Sequence, residues 1–282
     1  MTPEPALVQW ASMTRDDARG ESRGHLDLGD PRTAERFFID AFAFIRRTLG
    51  PQWIARETDP KRRGGYLLLD GPDDEDNPDE NHLRMDRIAS LVFELQGAQR
   101  IRGFSVLLEE LRHRQTYEAV AEMRAANHMI RSGQDAWFID PNAKSGVSHV
   151  AFIVLNGIEV AVEVKVKLPK AIDEYRPRLI ENSLKHARGQ LPKSGPSLIY
   201  LQLASPWTDS PVVMQSINDT IEKWLTNTRR VNGVHIMAER TFKAPNGHMS
   251  MAKGTGFIPN WNARTPVPDI QDWLDYELGT LP

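Results

Sequence analysis

Asn156-Gly157 stands between two apolar, β-branched runs, Val147 to Leu155 and Ile158 to Leu168, and this arrangement leaves the chain few choices. Asn-Gly suits a two-residue type I′ turn, whose central residues take positive φ and whose twist matches that of the flanking strands. The two runs are therefore expected to fold back as an antiparallel hairpin with Leu155 opposite Ile158. Period-two alternation then separates Val160, Val162, Val164, Val166 and Leu168 from Glu159, Ala161, Glu163, Lys165 and Lys167. One face is expected to be core and the other charged, and only in a silent site would the charged face be merely a solvated one.

The surroundings of the hairpin set the fold class. A helix is expected from about Thr116 to Ser132, ending at Gly133, and a short buried strand at Ala136-Trp137-Phe138-Ile139. After the hairpin, Ile180, Leu184, Ala187 and Leu191 recur at helical spacing between Pro177 and Leu191, and Ser197 to Leu203 reads as a strand. Val213, Ile217, Ile221, Trp224 and Leu225 mark another helix before a strand at Val234 to Ala238. Helix, three strands, helix, strand, helix, strand is the order of an α/β domain, a mixed β-sheet flanked by helices.

Upstream the pattern is helical. Asp30-Pro31 offers an N-cap and a first-turn proline to a helix carrying Phe37, Phe38, Ala41, Phe42, Ile45 and Leu49, which Gly50-Pro51 stops. Two more helices are marked by Ile88, Leu91, Val92 and Leu95, and by Ile101, Phe104, Leu107, Leu108 and Leu111. Between Glu57 and Asn81 the basic triplet Lys61-Arg62-Arg63 and the acidic run Asp70 to Asp76 read as a solvated loop; they lack the spacing of a calcium loop. The expected division is a tail over 1–25, a helical N-terminal region over 26–115, an α/β core over 116–240 and an irregular C-terminal segment over 241–282.

With 282 residues the chain can bury a sizeable interior, and with no cysteine it has neither disulfides nor thiolate chemistry. No apolar run approaches the roughly 20 residues that span a bilayer, and residues 1–30 lack the order of a signal peptide, so a cytoplasmic protein with no membrane partner is expected. A net charge of -3 gives no global basic field. Positive charge gathers locally instead, at Lys165, Lys167, Lys170, Arg176, Arg178, Lys185, Arg188 and Lys193, and later at Arg229 and Arg230. Such residues contact phosphates or simply keep helix faces soluble. No Gly-x-Ser-x-Gly elbow, P-loop or dinucleotide fingerprint is present, and His113, His186, His235 and His248 form no pair spaced for zinc. His128 reads as a packing histidine, and Trp207, Trp224 and Trp261 as residues packed against a core.

The chemistry rests on Glu163 and Lys165. Two apart on a strand, a carboxylate and an ammonium can converge on one substrate atom, the first holding Mg²⁺ and the second assisting an attacking water or the developing phosphorane charge. The helix around Ala119-Val120-Ala121-Glu122-Met123-Arg124-Ala125-Ala126-Asn127, the meander ending in Val162-Glu163-Val164-Lys165, the helix Ser183 to Pro192 and the strand Leu198-Ile199-Tyr200-Leu201 follow one another in a telling order. From Tyr117 to Leu203 the chain resembles the PD-(D/E)xK nuclease superfamily, with its restriction-endonuclease-like fold.

The resemblance implies that Glu163 is a metal ligand, Lys165 the catalytic lysine, Gln190 a supporting catalytic residue and Glu122 a further ligand. It implies a Mg²⁺- or Mn²⁺-dependent enzyme that hydrolyses DNA phosphodiester bonds. The family's aspartate is missing: Val147-Ser148-His149-Val150 stand where Pro-Asp is expected. Three readings are open. His149 serves as an imidazole ligand, which suits Mn²⁺ better than Mg²⁺; Asp140 reaches in from the preceding strand; or the site is silent, and the fold serves as a nucleic-acid-binding or protein-interaction module, with a second copy or another protein as partner.

Overall fold

The computed structural model describes residues 31–59, 66–67, 78–113, 116–139, 151–155, 157–167, 175–203, 207–243 and 249–268. The hairpin organises them. Strand β2 (Ala151–Leu155) pairs antiparallel with β3 (Ile158–Lys167), Leu155 facing Ile158 and Ala151 facing Val162, as the turn dictates. Gly157 sits at φ 79°, the left-handed conformation that the type I′ turn requires and that glycine adopts without strain. Strand β1 (Asp135–Phe138) adds antiparallel to β2 on the outer side.

Beyond the hairpin the chain crosses over twice. Helix α6 (Pro177–Gln190) brings β4 (Ser197–Leu203) parallel to β3, and α7 (Pro211–Thr226) brings β5 (Gly233–Lys243) parallel to β4. The Ser210 hydroxyl caps α7 by accepting from the Val213 amide. Strand β6 (Met249–Pro259) returns antiparallel along β5 and completes a six-stranded mixed sheet in chain order. The α/β class expected from the sequence is what is observed.

Two differences from the sequence reading concern strands. Residues 241–282, expected to be irregular, contribute the end of β5 and the whole of β6. Their pattern hides a strand, because Gly254 and Gly256 lower strand propensity and Lys253 interrupts the apolar alternation; pairing along all of β5 decides the conformation instead. The second difference is on β3, where both faces are covered. Val160, Val162 and Val164 belong to one core, Ala161 to another, and Glu163 is buried between them in sequence. The charged face is therefore buried at Ala161 and Glu163, half-exposed at Lys165 and Lys167, and exposed at Glu159.

The first core lies between the sheet and helices α1 (Pro31–Leu49), α3 (Pro78–Ala98), α4 (Phe104–His113) and α5 (Thr116–Arg131). Phe37, Ile45, Leu91, Leu95, Leu111 and Met123 pack there with Val162, Leu198 and Tyr200. A short helix, α2 (Pro51–Glu57), too short for local spacing to announce, places Trp53 in the same core. The second core lies on the other face, where Ile180 and Leu184 of α6 and Ile217, Ile221 and Trp224 of α7 cover Ala161, Ile199, Leu201 and Ile236. Helix α3 begins at Pro78, inside the stretch expected as loop, and Tyr66 and Leu67 are buried; Lys61-Arg62-Arg63 and Asp70 to Asp76 lie outside the described residues. Among the described residues no helix is long and apolar enough to cross a membrane.

Candidate active site

Strand β3 carries the two residues that the sequence singled out. From Glu163 onward it is paired, among the described residues, with β4 alone, Glu163 beside Ile199 and Lys165 beside Leu201. Alternation assigns both to the face of Ala161. Glu163 is 1 % exposed, and the Lys165 ammonium lies 2.5 Å from its Oε1. The lysine side chain is 21 % exposed, and its head joins a buried carboxylate.

Helix α5 supplies further carboxylates at helical spacing. Glu118 and Glu122 stand one turn apart, and both lie within electrostatic reach of Lys165. Burial raises the Glu122 carboxyl well above the usual carboxylate range; the charges of Glu110 on α4 and of Glu163 push the same way, and Lys165 opposes them. Burial also raises Glu118, against its own backbone hydrogen bond and Lys165. Strand β3 and helix α5 thus bring three carboxylates, Glu163, Glu118 and Glu122, within reach of Lys165, while Glu110 of α4 lies within electrostatic reach of Glu122. Glu110 and Glu118 were not singled out from sequence, although the spacing of Glu118 from Glu122 is a readable signal.

No family model, curated protein or solved structure matches this chain. The site stands on its geometry. Gln190 ends α6, the helix over the Ala161 face, with its amide oxygen buried. Asp140 and His149 lie outside the described residues. Among the described residues no three His, Asp or Glu side chains form a metal-holding group. The donors nevertheless suit a hard cation: Mg²⁺ is commonly held by one or two carboxylates, with water and substrate phosphate completing its shell. A divalent cation beside Glu163 would relieve the repulsion that adds to the effect of burial on Glu122.

Among the described residues, His128 and His235 pack together away from this arrangement. His235 is fully buried on β5 and stacks on Tyr200 of β4 with ring centres 4.5 Å apart. His128 of α5 covers the pair, its ring 4.7 Å from that of His235 and its Nδ1 3.5 Å from the Tyr200 hydroxyl. This is the packing role expected of His128. Trp207 and Trp224 are buried as expected, but Trp261 is 72 % exposed, because it follows the end of β6 in a turn rather than in a packed element. Arg230, counted among the local basic residues, donates to the Leu191 and Pro192 carbonyls at 2.6 and 3.0 Å and clamps the end of α6.

Proposed function

We propose that this chain is a divalent-metal-dependent nuclease of restriction-endonuclease-like fold that hydrolyses DNA phosphodiester bonds. The observation that carries the reading is the buried Glu163 held against Lys165 on β3, with Glu122 of α5 electrostatically coupled to both. The order of helix, three strands, helix and strand from α5 to β4 supports the fold assignment. Glu163 and Glu122 would hold Mg²⁺ or Mn²⁺, which when bound supplies Lewis acidity and a more acidic water. Lys165 directs its N–H donors at the non-bridging phosphate oxygen, where negative charge grows as water attacks. Burial of Glu163 fixes its carboxylate and so fixes the lysine head. Gln190 is assigned a supporting role from the end of α6. Exposed Arg176, Arg178, Lys185 and Lys193 are suited to holding the DNA backbone.

One observation favours a second reading, a catalytically silent module that binds nucleic acid or protein, a second copy included: Glu163 is 1 % exposed and its carboxylate is already held by the Lys165 ammonium. Cleavage of plasmid and single-stranded DNA with Mg²⁺ or Mn²⁺ separates the two. The nuclease reading expects cutting by the wild type that is lost in Glu163→Ala and in Lys165→Ala. A purified wild type that cuts neither substrate with either metal, or one whose cutting survives both substitutions, assigns the site to the silent module.

A further inference from the structure

The turn after β6 holds a large aromatic side chain outside both cores. Asn260 is buried, and its side-chain amide donates to the Thr228 and Val231 carbonyls at 2.7 Å each. The Ala263 amide closes the turn on the Asn260 carbonyl at 3.2 Å, and Trp261, the residue between, is 72 % exposed. The Arg264 amide donates to the Arg229 carbonyl at 2.8 Å. Asn232, also buried, donates to the Thr265 carbonyl at 2.6 Å and accepts from the Ser197 amide at 2.9 Å. Trp261 therefore stands on a turn stitched to the loops that open β4 and β5.

The charge around this turn has one sign. Residues 191–197, 226–232 and 260–268 carry Lys193, Arg229, Arg230 and Arg264 and no aspartate or glutamate, in a chain whose net charge is -3. Arg230 turns inward to the Leu191 and Pro192 carbonyls, whereas Lys193, Arg229 and Arg264 are exposed. We propose that Trp261 is a stacking platform for an unpaired base of single-stranded DNA, with Lys193, Arg229 and Arg264 facing the flanking phosphates.

Every base has a π-face, so an exposed indole holds a strand without reading its sequence, while cations along the backbone supply most of the attraction. A duplex hides the faces of its bases in the stack, and this selects a single strand. The cations without carboxylates select a polyanion over an apolar protein surface. The hydrogen bonds of Asn232 and Asn260 fix the turn beforehand, so little of the binding energy is lost in ordering it. The choice of DNA rests on the function proposed above, but stacking at Trp261 needs neither metal nor cleavage.

The test measures binding of the full chain to a short end-labelled oligothymidylate by fluorescence anisotropy, with chelator present so that cleavage plays no part. Trp261→Ala is expected to weaken binding about tenfold, and Trp261→Phe, which keeps a ring, to lose less. The double variant Arg229→Gln, Arg264→Gln is expected to weaken it several-fold and to flatten its dependence on salt. Val212→Ala, which removes an equally exposed apolar side chain at the start of α7, should bind as the wild type does. A wild type that does not bind the strand, or binds it equally well after Trp261→Ala, overturns the proposal. So does a wild type that is dimeric by sedimentation and becomes monomeric in Trp261→Ala, since the face then belongs to a second copy. Equal affinity for a duplex of the same length overturns the assignment to single strands, and tighter binding of the matching RNA overturns the choice of DNA.

Discussion

Glu163 is a carboxylate in a protein interior, and its neighbours decide what each substitution costs. Lys165 is partly exposed, yet removing it strips a buried anion of the ammonium 2.5 Å away. Lys165→Met is therefore expected to lower stability by about 1–3 kcal/mol besides abolishing the proposed cleavage. Alternation alone suggests that Lys165 points harmlessly away from the core; the burial of Glu163 changes that expectation. The double variant Glu163→Gln, Lys165→Met should recover much of the loss, because no charge is left without its partner. Urea unfolding of the single and double variants measures the coupling, and strictly additive losses would rule it out. Glu122 gives a second check through pH. Its carboxyl is raised, so the folded chain holds that proton more tightly than the unfolded chain. The stability it contributes is fully present below the ordinary glutamate range and is lost as pH rises through the raised folded value. Glu122→Gln, neutral throughout, should escape that loss, which amounts to about 1.4 kcal/mol for every tenfold by which folding tightens the carboxyl's hold on its proton. Unfolding from pH 4 to 8 without divalent metal should show the two curves diverging as pH rises; parallel curves would remove the repulsion from the account.

At the scale of elements, β6 shows how backbone pairing overrides a weak local pattern. A Cβ on Gly233 would stand 2.3 Å from Cζ of Phe257 and 2.9 Å from the Ile258 carbonyl oxygen, so β5 and β6 close on each other at a point that only glycine fits. Gly233→Val is expected to cost about 1–3 kcal/mol through overpacking and to loosen the end of β6 at Phe257 and Ile258. Amide hydrogen exchange resolves this, since protection should fall along β6 and hold in the hairpin. Nothing around Met249 to Pro259 announces this strand, because its alternation is broken by Lys253, Gly254 and Gly256. The hairpin is the opposite case. Asn156-Gly157 and two β-branched runs state both the turn and its register locally, and the observed Leu155 to Ile158 pairing follows. Helix α6 is equally readable from Ile180, Leu184 and Ala187, all of which are buried. The candidate site divides in the same way. Glu163 and Lys165 follow from strand period, whereas the contributions of Glu110 and Glu118 depend on how α4 and α5 dock, which is a tertiary matter that local spacing leaves open.

The sheet has two covered faces, and this governs how the whole molecule responds to damage. Val160, Val162, Val164, Leu198 and Tyr200 pack under α1, α3, α4 and α5, while Ala161, Ile199 and Leu201 of the same two strands pack under α6 and α7. A loss on either side therefore weakens strands that the other side also needs. Leu91→Ala, in the helical N-terminal layer, and Ile221→Ala, in the opposite layer, should each cost about 2–5 kcal/mol, because both side chains are fully buried. Each should also shift one common transition. The sequence division into a helical region over 26–115 and a core from 116 suggests two modules. The shared packing of Leu91, Leu95 and Leu111 with Val162 and Tyr200 argues instead that a chain begun at Thr116 exposes an apolar sheet face and fails to fold alone. Denaturation followed by far-ultraviolet circular dichroism and by tryptophan fluorescence decides this. Trp53 reports from the first core and Trp224 from the second, so single-tryptophan variants should give coincident curves. Two separated transitions would mean that the layers fold independently and that strand β3 draws its rigidity from α6 and α7 alone.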